Sequence, residues 1–215
     1  MNSVAFYYLS KNGTDRHSKM QARFKTLEIP AKLVEYQPHS NTSTSCTLGH
    51  FSMLKDFVDN SDKEYGCFLE DDVMINVDFT KDLPYLLHKF QNLRLDLLLV
   101  GYLIDFNIKR IANKSDFALL ELPEITFHQY PDDLWGTQGY ICTKDHAKYI
   151  IEKYTDQDIE NFVVDRIITK EGNCALVDPM YFIEEGDTGR PEPEQIEYHR
   201  DCAEYNKDKY MGLLI

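Results

Sequence analysis

Apolar residues fall along this chain in two rhythms, and their alternation sets the expected fold. Val4-Ala-Phe-Tyr-Tyr-Leu9 is a short apolar run that predicts a first strand. Lys11-Asn-Gly13 reads as a turn, and Thr14 or Asp15 is placed to cap a helix in which Met20, Phe24 and Leu27 share one face. Pro30 stops that helix, and Ala31 to Tyr36 predicts a second strand. Ser40-Asn-Thr-Ser-Thr-Ser45 reads as a polar loop, followed by a helix over about Leu48 to Val58 that aligns Phe51, Leu54 and Val58. Gly66 to Leu69 predicts a buried strand, Thr80 to Phe90 a helix, and Asp96 to Tyr102 a strongly apolar strand. This alternation predicts an α/β fold, one domain whose mostly parallel central sheet is flanked by helices.

The second half is less regular. Phe117 to Leu122 and Thr126 to Tyr130 predict short strands around Pro123. Trp135-Gly-Thr-Gln-Gly-Tyr-Ile-Cys142 leads into a helix from about Asp145 to Tyr154. A further helix near Ile159 to Lys170 sets Phe162, Val163 and Ile167 on one side. Residues 181–215, with Gly186, Gly189, Pro191 and Pro193 and little apolar content before Met211-Gly-Leu-Leu-Ile215, predict an extended C-terminal tail wrapped over the domain.

Composition narrows the function. A chain of 215 residues suits one domain with a core of its own. Lysine and arginine total 23 against 36 aspartates and glutamates, a net charge of −13, which argues against a nucleic-acid binder. A small phosphorylated ligand held by a metal and a few local donors remains compatible. The five cysteines show no CxxC spacing, and Cys67 and Cys142 lie inside apolar runs. They point to a reducing compartment rather than a disulfide framework. With no basic-then-apolar leader and no stretch approaching a membrane span, a cytoplasmic protein is expected.

The candidate chemistry centres on Glu70-Asp71-Asp72, three carboxylates directly after the Gly66–Leu69 strand. Like charges this close raise one another's pKa, and a divalent cation with oxygen ligands relieves the strain. A solvated acidic turn is the competing explanation. In an open α/β sheet, ligands sit beyond the carboxyl ends of the strands, where these acids lie. If the chain stays extended, Glu70 and Asp72 point together and Asp71 away.

In combination, several segments resemble glycosyltransferase family 25, the group of lipooligosaccharide and collagen galactosyltransferases. Arg16-His-Ser-Lys-Met-Gln-Ala-Arg-Phe24 resembles its early arginine-bearing helix. Cys46-Thr-Leu-Gly-His-Phe51 resembles Gly-Cys-x-x-Ser-His, with Gly49 where serine is usual. Phe68-Leu-Glu-Asp-Asp-Val73 resembles the strand ending in Glu-Asp-Asp. Trp135-Gly-Thr-Gln-Gly-Tyr140 resembles Gly-Thr-Ala-Gly-Tyr, and Val164-Asp165 the later Val-Asp.

The resemblance implies a single GT-A-like domain, a nucleotide-sugar donor (usually UDP-linked), bound Mn²⁺ or Mg²⁺, and inverting transfer to a glycan or glycoprotein acceptor. It divides the chain into a nucleotide-sugar-binding half over residues 1–102, an acceptor half over 103–180 and the tail. Asp72 is then the expected first metal ligand, with Glu70 or Asp71 as second ligand or ribose contact. Arg16, His50, Gly136, Thr137 and Gly139 are donor-binding candidates. Asp165 is the expected general base, with Asp133 or Asp132 as fallback.

Each candidate also has a plainer reading. Arg16 and Asp165 fit exposed helix positions, His50 a helix cap or core residue, Gly136 and Gly139 a strand bend, and Trp135 either a sugar platform or core. His199 reads as a surface residue, with a late metal ligand as the alternative. A non-catalytic sugar- or nucleotide-binding domain is the rival to an enzyme. A sugar nucleotidyltransferase is disfavoured, because Ser10-Lys-Asn-Gly13 offers one glycine where a phosphate loop needs several.

Overall fold

A computed structural model describes residues 3–36, 38–103, 125–129, 135–155, 163–186, 193–210 and 214–215. Strands β1 (Val4–Ser10), β2 (Ala31–Glu35), β3 (Tyr65–Leu69), β5 (Leu97–Gly101), β6 (Thr126–Gln129), β7 (Gly139–Thr143) and β8 (Cys174–Asp178) form one sheet in the order β2-β1-β3-β7-β5-β8-β6. Five of these seven strands run in one direction, and β7 and β6 run against them. β4 (Val73–Ile75) and β9 (Phe182–Glu184) make a separate antiparallel ribbon. The helices are α1 (Asp15–Thr26), α2 (Thr42–Asn60), α3 (Phe79–Asn92), α4 (Lys144–Tyr154), α5 (Val164–Thr169) and α6 (Pro193–Tyr210).

The period-two pattern divides the core between the sheet's two faces. Tyr7 and Leu9 of β1, Phe68 of β3 and Tyr140 and Cys142 of β7 pack with Phe57 of α2, Ile150 of α4 and Ile167 of α5. Phe6, Tyr8, Cys67, Leu69 and Ile141 face the other way, onto Met20 and Phe24 of α1 and Leu83, Leu86 and Phe90 of α3. Gly49 lets α2 lie close on β1, since a Cβ there would come within 2.5 Å of the Leu9 side chain. All five cysteines are free thiols. Among the described residues no helix is long and apolar enough to cross a membrane.

Three expectations need correction. Ser40–Ser45 is not a loop throughout: Asn41 accepts from the Thr44 N–H as N-cap, and α2 begins at Thr42. His50 consequently lies deep inside α2 rather than at its start.

The region expected as an extended tail contains β9 and α6. Pro193 stands at the first position of α6, where a missing N–H costs nothing. Buried His199, Cys202, Ala203 and Asn206 recur at helical spacing, but two of the four are polar and the other two small, so the apolar pattern is faint.

The helix placed over Ile159 to Lys170 is described from Val164. Phe117 to Leu122 and Asp132 and Asp133 lie outside the described residues.

Candidate active site

β3 ends at Leu69, and the next three residues turn their carboxylates in different directions before β4 begins. Glu70 and Asp72 line a cleft of about 830 Å³, together with Arg16, Tyr36, Cys46, Trp135, Thr137, Asp165 and His199 among others. Asp71 is not part of that lining. Its Oδ2 accepts from the Ser10 hydroxyl at 2.6 Å, and its Oδ1 from Arg16 at 3.3 Å. Arg16, in the first turn of α1, also donates to Asp72 Oδ2 at 3.2 Å. It is thus a counter-charge shared by two of the acids. The burial of that guanidinium works against its charge, but Asp72 and Asp71 outweigh it and raise its pKa.

Asp72 is under heavier electrostatic strain than Asp71. Burial, then the carboxylates of Glu70 and Glu184, push its pKa well above the usual carboxylate range, against the pull of Arg16. Its Oδ1 is buried and has no hydrogen-bond partner. Glu184 arrives through the small ribbon: it pairs in register with Val73, and the Glu185 N–H donates to the Asp72 carbonyl at 2.7 Å. Burial raises the Asp71 carboxyl as well, although Ser10 and Arg16 pull it down.

Across the cleft, the loop leading into β7 supports two acids. Glu70 N–H donates to the Gln138 carbonyl at 3.1 Å. The Thr137 hydroxyl lies 2.8 Å from Asp165 Oδ1 and 3.2 Å from Glu70 Oε1. Gly136 N–H donates to Asp165 Oδ2 at 3.2 Å. Burial and then the Glu70 charge raise the Asp165 pKa, while these two donors and His50 oppose the rise. Asp165 stands in the first turn of α5 and reaches the cleft, so it is not a surface aspartate paired with a lysine or arginine.

The remaining candidates divide. Gly136 lines the cleft with φ at +106°, and a Cβ there would fall 2.4 Å from the Leu103 nitrogen. That position needs glycine. Gly139 does not line the cleft. A Cβ on it would sit 2.2 Å from the Phe182 ring, so its glycine serves packing.

His50 is fully buried and outside the cleft lining, with Nδ1 3.1 Å from the Tyr140 hydroxyl and Nε2 3.6 Å from Glu70 Oε1. It stands behind Glu70. Trp135 is 37% exposed at the cleft edge, with the Arg166 guanidinium 4.8 Å from its ring centre, and is not a core residue.

His199 is buried rather than at the surface. It lines the cleft, with Nδ1 2.8 Å from both oxygens of Glu184. Sequence reasoning overlooked Glu184 and Tyr36. The available signal for Glu184 was Tyr181-Phe-Ile-Glu-Glu185, a second apolar run ending in acids like the one before Glu70. Tyr36 had none beyond its place at the end of a strand. Burial and then Asp71 and Glu70 hold its phenol well above the usual value, so it remains an O–H donor beside the acids.

No curated protein matches the chain. Among solved structures, the glycosyltransferase involved in the glycosylation of the major capsid of PBCV-1 aligns over 92% of this chain and 99% of its own, at 10% identity and a TM-score of 0.54. That identity shows a shared fold alone. A197 from STIV aligns over 80% of each chain at 17% identity and a TM-score of 0.49. The profile of glycosyltransferase family 25 (LPS biosynthesis protein) matches residues 35–168, more than half of the sequence and most of the cleft. The chain belongs to glycosyltransferase family 25 and is a glycosyltransferase working on nucleotide sugars.

Proposed function

We propose that this chain moves a hexose, galactose or glucose being favoured, from a UDP-type donor to a hydroxyl of a glycan or protein acceptor. The reaction is a single inverting displacement aided by Mn²⁺ or Mg²⁺. The observation that carries this reading is the convergence of Glu70, Asp72 and Asp165 on one cleft, with Thr137 standing between the first and the last.

The acids fit a hard, oxygen-preferring cation. Asp72 Oδ1 is a buried acceptor without a donor, and Glu70, Asp71 and Glu184 all press the Asp72 carboxyl toward its protonated form. Asp72 would be the first ligand and Glu70 the second, with Asp71 held behind them by Ser10 and Arg16. Such an ion, when bound, stabilises the negative charge that gathers on the departing pyrophosphate.

The chain's own groups do the rest. Thr42 and Ser43, at the N-terminus of α2, line the cleft and present the helix end that favours phosphate. Arg16 adds a positive charge on the same side. Asp165 removes the acceptor hydroxyl's proton as the new bond forms. Each of its oxygens already accepts one hydrogen bond, which fixes the carboxylate and leaves a lone pair for that proton. Its raised pKa makes it a better base than an exposed aspartate. Trp135 offers an apolar ring at the cleft edge for the acceptor.

The test is a screen of nucleotide sugars for thermal stabilisation and hydrolysis, with and without Mn²⁺, on wild type and Asp72→Ala. Wild type is expected to bind a UDP-hexose in a cation-dependent way. Asp72→Ala is expected to lose that binding while its circular dichroism stays native. Unchanged affinity and unchanged cation dependence in the variant would remove Asp72 from the metal site.

A further inference from the structure

Behind the acids lies a second group of ligand atoms with a softer character. Cys46 Sγ, His50 Nε2 and a Glu70 carboxylate oxygen all lie within 4.8 Å of one another. Cys46 and His50 sit one turn apart on α2, so the helix itself sets both on the same side. Glu70 reaches them from the end of β3.

The histidine supplies the independent sign of a ligand. His50 has 0% exposure, and its Nε2 is buried with no hydrogen-bond partner. Leaving such an atom bare forfeits the hydrogen bond it would make in water. Its other nitrogen lies 3.1 Å from the Tyr140 hydroxyl, and the two rings stack with centres 5.7 Å apart. With the proton on Nδ1 and donated to Tyr140, the Nε2 lone pair faces Glu70. A hydrogen bond from the far ring nitrogen holds the metal-binding tautomer of a histidine.

We infer that Cys46, His50 and Glu70 form a zinc-class cation site, adjoining the hard-cation site at Asp72 through their common Glu70. Thiolate, imidazole and carboxylate together suit Zn²⁺ far better than Mg²⁺ or Mn²⁺. In a tetrahedral zinc site, two ligand atoms each about 2 Å from the ion stand about 3.3 Å apart. The His50 Nε2 to Glu70 Oε1 separation of 3.6 Å is already close to that edge. Cys46 and Glu70 both line the cleft, so a fourth position opens onto solvent or substrate. On binding, the Cys46 thiol releases its proton to solvent and the thiolate coordinates the ion. The site shares Glu70 with the proposed cation site but does not depend on which donor or acceptor the enzyme uses.

The experiment uses the full chain, stripped with a chelator. Zinc affinity is read by competition with a chromophoric chelator, and Co²⁺ is added separately as a spectroscopic probe. One equivalent of zinc is expected, and cobalt should give the near-ultraviolet thiolate-to-metal absorption of a sulfur ligand. Cys46→Ser should abolish that absorption and weaken zinc by at least about tenfold, as should His50→Gln. Asp72→Asn should retain the cobalt absorption, which separates this site from the other. Because substitution of the buried His50 also disturbs packing, the partly exposed Cys46 and the wild-type cobalt spectrum decide the matter. A wild-type spectrum without sulfur absorption, or equal zinc affinity in wild type and Cys46→Ser, would overturn the site.

Discussion

Thr137 holds Asp165 at 2.8 Å through its single hydroxyl proton, with Glu70 Oε1 at 3.2 Å as the competing acceptor. One hydroxyl therefore stands between the acid proposed as the base and an acid proposed as a cation ligand. Replacing Thr137 with valine keeps the shape and removes the donor. The Thr137 hydrogen bond lowers the Asp165 pKa, and its loss lets burial and the Glu70 charge raise it further. A general base works only when deprotonated, so transfer falls on the acid side. That limb should lie above the ordinary aspartate value and move to still higher pH in Thr137→Val. A pH profile of kcat/KM for both proteins checks the sign.

Asp165→Asn tests the base itself. It preserves shape and removes basicity, so transfer should fall by roughly two to four orders of magnitude. Donor affinity, measured by calorimetry, should stay within a few-fold of wild type. Transfer at near wild-type rate would return the role to Asp133 or Asp132.

The two glycines flanking Thr137-Gln138 should separate under mutation. Gly139→Ala drives a methyl into the Phe182 ring and should cost about 1–3 kcal/mol of stability. Trimming the neighbour in Gly139→Ala/Phe182→Leu should recover part of that loss, as read by urea melts of both proteins. Gly136→Ala instead strains a backbone at φ +106° and displaces the N–H that Asp165 accepts. It should lower transfer by more than its stability loss explains.

The Glu184–His199 pair fastens α6 to the small ribbon. His199→Ala leaves the Glu184 carboxylate buried beside Asp72 with its main partner gone, at a cost of about 3 kcal/mol or more. Proteolysis of the native protein should then cut within residues 187–210 first. Wild-type cleavage rates in that variant would show that α6 is held by other contacts.

The sequence made much of this legible for a physical reason. β1, β3 and β5 are apolar runs buried along their length, and α1 and α3 carry regular apolar stripes. The acids after β3 stood out because nothing in the run before them is charged. α6 was hidden because its inward face is His199, Cys202, Ala203 and Asn206, two polar residues and two small ones, which leave only a thin apolar stripe. The first turn of α2 was hidden because Ser and Thr at a helix start look like loop. Glu184 and Tyr36 were missed because they meet the acids only through pairings between distant strands. The antiparallel direction of β7 was equally invisible, since apolar alternation carries no sense of direction.

That direction has a consequence for how this chain tolerates changes in length. β7 lies between β3 and β5 with Leu69 opposite Gly139 and Phe68 opposite Tyr140. Side chains alternate faces, so deleting one residue within Gly139–Thr143 would turn Tyr140 away from His50 and bring a different side chain under Phe182. The loop bearing Gly136 and Thr137 would shift with it and draw away from Asp165. A single-residue gap there would silence the enzyme, and homologous chains should vary in length elsewhere before they vary in this strand.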